Sequence, residues 1–196
     1  VPLPKYIKRE SNNTDVVRYQ TVYAKHKGSV AAPTAGLHFT DDIISKLKNK
    51  GVIIDFLTLH VTYNTFKPIK EEDYMLHEIG SELCHIQEDL VTNINNVKKN
   101  NKKVYAVGTT VTRALENYAS KSCQGSFFGE ADLYITPGYD FKVIDGLITN
   151  YHLPQSSLLL LVASFIGKDR LFKLYETAIN QNYRFYSYGD SMFIKK

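Results

Sequence analysis

Apolar positions along the chain change from helical to strand-like spacing and back. Residues 41–51 place Ile43, Ile44 and Leu47 on one face of a helix that ends at Gly51, where a left-handed residue is typical. The β-rich residues 52–61 come next and predict a strand. Across residues 82–97, apolar side chains recur at every third or fourth position, which predicts a second helix.

The second half of the chain repeats this alternation. Residues 103–108 predict a short strand, and residues 109–119 predict a helix capped by Thr109 or Thr110. Further strands are predicted at residues 132–136 and 139–150, two successive helices at 155–167 and 169–180, and a closing strand pair at 183–194. Strands that alternate with helices predict an α/β fold with a mixed, partly parallel sheet and flanking helices.

Length and composition are those of one globular domain. A chain of 196 residues can bury one sizeable core, and its longest apolar run, residues 158–163, is too short to span a membrane. The chain opens without a secretory pattern and has two cysteines, so we expect a cytoplasmic protein with free thiols and no membrane contact. The two prolines near the start predict a linker over residues 1–17 that follows a missing N-terminal part, with the α/β domain at 18–196.

Positive charge is concentrated near the start of the chain. The net charge is +4, and residues 1–28 hold six basic side chains (Lys5, Lys8, Arg9, Arg18, Lys25 and Lys27) against Glu10 and Asp15. A second basic cluster covers residues 98–103. Such clusters bind phosphate in nucleic-acid-binding proteins, whereas elsewhere they are ordinary solvated surface, and the sequence leaves both interpretations open.

A possible anion site lies where the strand 103–108 passes into the next helix. Gly108 lets backbone amides approach a ligand closely, and the amides of Thr109 and Thr110 would begin the helix. Arg113 falls in the first helical turn, where a cation is unfavourable unless it holds an anion. The segment lacks the lysine and second glycine of a nucleotide-hydrolase loop and the glycine pattern of a dinucleotide site.

Three histidines occupy the ends of predicted elements, where functional loops of α/β folds gather. His38 precedes a helix, His60 ends a strand, and His152 precedes the apolar helix. Imidazole serves as an acid or a base near neutral pH, although a hydrogen-bonded structural role is the alternative for each of them. No spacing of histidines or cysteines is typical of a metal site, so we expect none.

Five segments together resemble one family. They are RYQTVYAKHKGSVAAPTAGLHFT, TLHV, YAVGTTVTRALE, ITPGYDFKVIDGLITNYHLPQSSLLLLV and YRFYSYGDSMFI, and they span residues 18–194 in the family's order. This pattern is similar to the C-terminal part of the S-adenosylmethionine:tRNA ribosyltransferase-isomerases of queuosine synthesis, the QueA family. The resemblance implies that the ribosyl part of S-adenosylmethionine is transferred to 7-aminomethyl-7-deazaguanine at the tRNA wobble position, which yields epoxyqueuosine and releases adenine and methionine.

The resemblance also implies roles for individual residues. The reaction needs a base beside the sulfonium and an acid for adenine, and the candidates are His38, His60 and His152. Substrate-binding candidates lie in the matching motifs, and they are Thr34, Gly36, Gly108, Thr109, Thr110, Arg113, Arg184, Tyr188 and Asp190. S-adenosylmethionine would be a co-substrate, with no separate cofactor, tRNA would be the partner, and a monomer is expected.

Several positions depart from the family pattern. Thr62 and Asn64 replace family glycines, and Tyr74 and Ile79 replace a histidine and a glutamate. The family's N-terminal segment and β-barrel domain have no counterpart, so we expect this chain to be inactive alone or to need a separate N-terminal fragment. The alternatives are a non-catalytic RNA-binding remnant and a different S-adenosylmethionine enzyme, such as an RNA methyltransferase.

Overall fold

A computed structural model describes residue 7 and residues 9–61 and 68–196. The substitutions at Thr62 and Asn64, and much of the expected linker over residues 1–17, lie outside the described residues. Residues 13–18 nevertheless form a short helix that crosses the expected end of that linker. The domain boundary itself stays a prediction.

Six α-helices and six strands carry the described fold. The helices are α1 (Asn13–Arg18), α2 (Asp41–Asn49), α3 (Glu88–Lys99), α4 (Thr109–Ser120), α5 (Ser157–Ile166) and α6 (Lys168–Asn180). The strands are β1 (Thr58–His60), β2 (Glu82–Ile86), β3 (Tyr105–Val107), β4 (Phe127–Ala131), β5 (Gly146–Asn150) and β6 (Ser191–Lys195). Short 3₁₀ helices cover Thr34–His38 and Tyr74–Leu76.

The strands form two small sheets. In the first sheet, β2 lies between β1 and β4, and both pairings are antiparallel. In the second sheet, β5 lies between β3 and β6; β3 runs parallel to β5, and β6 runs antiparallel to it. The predicted α/β class with a partly parallel sheet is confirmed, and the division into two sheets is a finding of the structure.

The main core lies between the second sheet and the helices around it. Leu147 of β5 and Ile194 of β6 are fully or almost fully buried, and they belong to one cluster with Leu161 and Val162 of α5. Leu115 of α4 joins the same cluster. Because this core surrounds β5, the residues at the end of that strand have a rigid base.

Most predicted helices are confirmed. Helix α2 begins after Thr40, whose hydroxyl accepts a hydrogen bond from the Ile43 amide, and Gly51 has a φ of +78° as expected. Helices α5 and α6 match their predicted ranges closely. For α4 the predicted threonine cap is wrong, because Gly108 is the N-cap residue and makes no side-chain cap bond.

Three other predicted elements differ from the structure in type or position. The predicted helix at 82–97 begins as strand β2, which pairs with β1 and β4 on its two sides. Its residues alternate between buried and half-buried because successive side chains point to opposite faces of the sheet. Only Thr58–His60 of the predicted strand 52–61 pairs, and Ile53 remains 60% exposed. The strand predicted at 132–136 is found at Phe127–Ala131 instead, where it pairs with β2.

The end of the chain also differs from its prediction. Residues 183–190 form a tight turn and not a strand, so the predicted closing strand pair is wrong. Strand β6 pairs with β5 and not with its own neighbouring residues. The predicted strand 139–150 is ordered as strand only from Gly146.

The state of the cysteines and the lengths of the helices relate to two expectations from composition. Cys84 and Cys123 are both free thiols, as predicted. Within the part of the chain that the structure describes, none of the helices has the length and apolar character that a membrane crossing requires.

Candidate active site at the edge of the second sheet

The parallel strands β3 and β5 end at one edge of the second sheet. Gly108 follows β3 there, and Asn150 is the last residue of β5. Because β6 runs antiparallel to β5, its first residue, Ser191, lies opposite Asn150, which places Asp190 at the same edge. Ligands of open α/β sheets bind outside the carboxyl ends of the strands, so a ligand site is expected at this edge.

Asn150 connects the segments that meet at this edge. Its side-chain oxygen accepts a hydrogen bond from the Thr34 hydroxyl at 3.0 Å, and its amide nitrogen donates to the Gly189 carbonyl oxygen at 3.3 Å. The same nitrogen lies 3.4 Å from Nε2 of His38. Asn150 is only 2% exposed, so the structure holds this side chain tightly.

The chemistry of these partners sets the orientation of the Asn150 amide and the role of His38 Nε2 in their contact. A carbonyl oxygen can only accept, so the Gly189 contact requires the NH₂ group of Asn150 on that side of the amide. That NH₂ group also faces Nε2 of His38, which must therefore be the acceptor. The tautomer that satisfies this contact carries its ring proton on Nδ1 and presents the lone pair of Nε2 to Asn150.

An anion lies close to His38. The Asp190 carboxylate accepts hydrogen bonds from the Arg184 backbone amide at 2.7 Å and from its guanidinium at 3.3 Å. The pKa of Asp190 is lowered chiefly by that backbone amide, then by the Arg184 side chain, and further by the charge of His38. Asp190 is therefore ionised at neutral pH, and it would stabilise an imidazolium on His38.

The 3₁₀ helix of residues 34–38 packs closely against its neighbours. A Cβ at Gly36 would overlap the Tyr23 hydroxyl, so only glycine fits there. Burial raises the pKa of Tyr23 to about 12, which keeps this hydroxyl neutral. A Cβ at Gly108, which has a φ of +101°, would lie 4.0 Å from the Cβ of Ala35. The 3₁₀ helix that carries His38 therefore packs beside the start of α4.

Thr109, Thr110 and Arg113 line a small cavity between the starts of α4 and α5. Its volume is about 10 Å³, which is close to the minimum that holds one water molecule. Glu82 and Ser157 complete its polar wall. The predicted anion-binding residues are thus brought together, in a space smaller than a carboxylate or phosphate group requires.

Arg113 is almost fully buried and already has a partner. Its Nη2 donates to the carbonyl oxygens of Gly80 at 3.0 Å and Ala131 at 3.1 Å, and it lies 3.1 Å from Oε2 of the buried Glu82. Burial lowers the pKa of Arg113, and the charge of Glu82 opposes that shift. Its role in substrate binding stays a prediction, since Glu82 supplies the anion that a cation in this helical turn requires.

His152 lies two residues beyond Asn150, but its surroundings differ from those of His38. Its Nε2 is 2.7 Å from the Thr149 hydroxyl, and its backbone amide donates to the Tyr175 hydroxyl at 2.7 Å. Burial lowers the pKa of His152 to about 4. It is therefore neutral at pH 7 and is better suited to accept a hydrogen bond than to act as an acid.

His60 lies on the other sheet. It ends β1, and a Cβ at Gly28 would be 2.8 Å from its Nδ1, so the two residues pack closely. His60 lines an open groove with Lys25, Lys27 and other side chains of the outer sheet surface. The structure thus places His38 and His152 near the edge of the second sheet and His60 on a surface of the first.

Arg184 and Tyr188 flank the turn that carries Asp190. Arg184 is exposed apart from its pair with Asp190. The Tyr188 ring packs against Tyr19 with centroids 5.3 Å apart, and its hydroxyl donates to Asp15 at 3.4 Å. Tyr188 therefore ties the end of the chain to α1, and a role in stacking on a substrate base stays a prediction.

Sequence reasoning missed Asn150, which makes more contacts at this edge than the residues that were predicted. The available signal was a polar residue that ends an apolar strand directly before the His152 loop. In the described residues, no group of three or more His, Cys, Asp or Glu side chains is arranged to hold a metal ion.

These features define an α/β protein with a polar, histidine-containing site at the carboxyl edge of parallel strands. A family model described as "Queuosine biosynthesis protein" matches residues 1–194. The chain therefore belongs to the queuosine biosynthesis protein family.

Individual relatives agree with this assignment. The chain is 53% identical over 195 residues to a protein of Halothermothrix orenii named S-adenosylmethionine:tRNA ribosyltransferase-isomerase, and the match covers 99% of this chain. A protein of the same name from Aquifex aeolicus is 50% identical over 194 residues. Each match covers 57% of the relative, so the chain spans a little over half the length of these proteins.

A solved structure has the same fold. The crystal structure of S-adenosylmethionine tRNA ribosyltransferase from Thermotoga maritima superposes with a TM-score of 0.69 at 39% sequence identity. The superposition covers 82% of this chain and 51% of that protein.

Proposed function

We propose that this chain forms the catalytic part of an S-adenosylmethionine:tRNA ribosyltransferase-isomerase. Its substrates would be S-adenosylmethionine and a tRNA with 7-aminomethyl-7-deazaguanine at the wobble position. Its products would be epoxyqueuosine in tRNA, adenine and methionine. The observation that carries the proposal is the contact of Asn150 with Thr34, His38 and Gly189 at the sheet edge.

His38 is the proposed base. The sulfonium makes the adjacent ribosyl carbon acidic, and the exposed His38 imidazole can take that proton on Nε2. The 3.4 Å contact with Asn150 is long, so a substrate can displace it without a large loss of free energy. Asp190 would stabilise the imidazolium that forms.

The other candidates have supporting roles in this proposal. Neutral His152 would accept a hydrogen bond, Gly108 would let a substrate approach the start of α4, and the first-turn amides would attract an anionic group. The proposal involves no cofactor beyond S-adenosylmethionine as co-substrate. It places the protein in the cytoplasm as a monomer that acts with the remaining part found in the longer relatives.

The test is an assay of adenine release. The chain is incubated with S-adenosylmethionine and substrate tRNA, alone and together with the N-terminal portion of the Halothermothrix orenii relative, and adenine, methionine and the mass of the modified nucleoside are measured. We expect adenine and a ribosyl-sized mass increase, and we expect His38→Ala to abolish both while Glu176→Ala, at an exposed position of α6, retains them. S-adenosylhomocysteine with a methylated tRNA would show a methyltransferase instead. tRNA binding without adenine release in either mixture would show an RNA-binding protein without this activity.

A further inference from the structure

The outer face of the first sheet carries an open groove that the proposed reaction does not use. Thr58 pairs with His85, and His85 pairs with Phe128, so these three side chains form a row across β1, β2 and β4. His60 lies two residues from Thr58 on the same face. Lys25, His26 and Lys27 complete the wall of this groove, whose volume is about 400 Å³.

Hydrogen bonds hold the lysine-bearing segment against the sheet. The Val30 amide donates to the Val61 carbonyl oxygen at 3.1 Å, and the Val61 amide donates to the Ser29 hydroxyl at 2.9 Å. Gly28, with a φ of +132°, turns the chain directly over His60. The two lysines therefore extend from a segment with a fixed position beside β1.

The groove combines positive charge with an exposed aromatic ring. Lys25 and Lys27 are its permanent cations, and no carboxylate is among the residues that line it. Glu130 is the nearest acidic residue along β4, two positions from Phe128 on the same side of the strand. Phe128 is 72% exposed and meets His85 only at an edge, with ring centroids 5.9 Å apart, so a face of its ring is open.

We propose that this outer groove binds an unpaired segment of RNA. Two lysines separated by one residue suit successive phosphates, and an exposed phenylalanine suits stacking by a base that is not already paired. Single-stranded segments of RNA offer both features, whereas a duplex offers the phosphates alone. The inference rests on the proposed function in taking tRNA as the RNA, and it adds a contact surface away from the site at the sheet edge.

The experiment measures the affinity of the chain for substrate tRNA by fluorescence anisotropy at several salt concentrations. In the double variant Lys25→Gln, Lys27→Gln, we expect weaker binding and a plot of log affinity against log salt that is shallower by about 1.4, the loss of two single-strand phosphate contacts. The matched control is Lys48→Gln, Lys50→Gln, which removes two exposed lysines of the same spacing from the end of α2. That control should keep both the affinity and the slope.

Phe128 is tested by two replacements. Phe128→Ala should weaken binding by about 5-fold to 150-fold, the range measured for loss of one stacked base, without changing the salt slope. Phe128→Tyr should bind as the unchanged chain does, because it keeps an aromatic face. With a fully paired RNA duplex as the probe, the alanine replacement should have no effect. Urea unfolding of each variant separates lost binding from lost folding.

The results distinguish this inference from the proposed function. If the unchanged chain binds tRNA but the groove variants keep its affinity and salt slope, the groove proposal is overturned and the catalytic proposal stands. If the alanine replacement weakens duplex binding equally, stacking of an unpaired base is refuted. If the unchanged chain does not bind tRNA, both the groove proposal and the tRNA substrate of the proposed function are refuted.

Discussion

Glu116 provides a sharp test of how the structure supports the second sheet. This side chain is completely buried in α4, yet its carboxylate accepts four hydrogen bonds from residues that precede β5. Oε2 accepts from the Lys142 amide at 2.8 Å and the Tyr139 hydroxyl at 3.2 Å. Oε1 accepts from the amides of Val143 at 3.0 Å and Ile144 at 3.1 Å. Burial, followed by the nearby charge of Glu116, raises the pKa of Tyr139.

The expected cost follows from those four donors. In Glu116→Gln, an NH₂ group replaces one acceptor oxygen and faces at least one backbone amide that has no other partner. A buried donor without a partner costs about 1–3 kcal/mol, so we expect the free energy of unfolding to fall by about 2 kcal/mol. Glu116→Ala leaves three backbone amides without an acceptor and should cost about 3 kcal/mol or more.

Urea unfolding followed by circular dichroism measures this effect. With a typical slope of about 2 kcal/mol per molar urea, a loss of about 2 kcal/mol lowers the midpoint by about 1 M. The matched control is Glu176→Gln, an exposed position in α6 that should shift the midpoint by about 0.2 M or less. Equal midpoints for Glu116→Gln and the unchanged chain would refute the claim that this carboxylate holds the segment before β5.

Three further predictions concern the sheet edge. Asn150→Ala removes contacts to three segments and should lower the rate of adenine release about 100-fold, while exposed Asn96→Ala leaves it unchanged; equal rates would show that Asn150 does not position the site. His152 has a pKa lowered to about 4, so the unfolded chain binds its proton first and stability falls as pH drops from about 6.5 to 4, by on the order of 3 kcal/mol. In urea unfolding at each pH, His152→Gln should lose that part of the dependence and His85→Gln should keep it. Gly189→Ala would overlap the backbone of the preceding turn, so its urea midpoint should fall, and an unchanged midpoint would contradict the observed turn.

Local patterns predicted the helices well and the strands poorly. Helices α2, α5 and α6 owe their ends to nearby residues, such as the Thr40 cap and the left-handed Gly51. Strand β2 owes its existence to β1 and β4, which lie 22 or more residues away along the chain. Its apolar spacing also fits a helix, so only the pairing with both neighbours decides its structure.

The sequence predicted part of the site, because local patterns locate the element ends where some of its residues lie. The element ends identified His38 and Gly108, the family resemblance added Asp190, and the structure places all three near one edge. Asn150 was not identified, because its importance lies in contacts with residues 116 and 39 positions away. No spacing within a short segment reports such contacts.

The anion that pairs with Arg113 could not be identified from the sequence. A cation in the first turn of a helix requires an anion nearby, and the sequence alone suggested a ligand. The structure shows that Glu82 of β2, in the first sheet, meets this requirement. Since Arg113 also donates to the carbonyl oxygens of Gly80 and Ala131, the pair joins the first sheet to the helix that begins at the proposed active site. Its remaining guanidinium nitrogens, Nε and Nη1, have no protein acceptor in the described residues, so the side chain retains hydrogen-bonding capacity beside the cavity of Thr109 and Thr110.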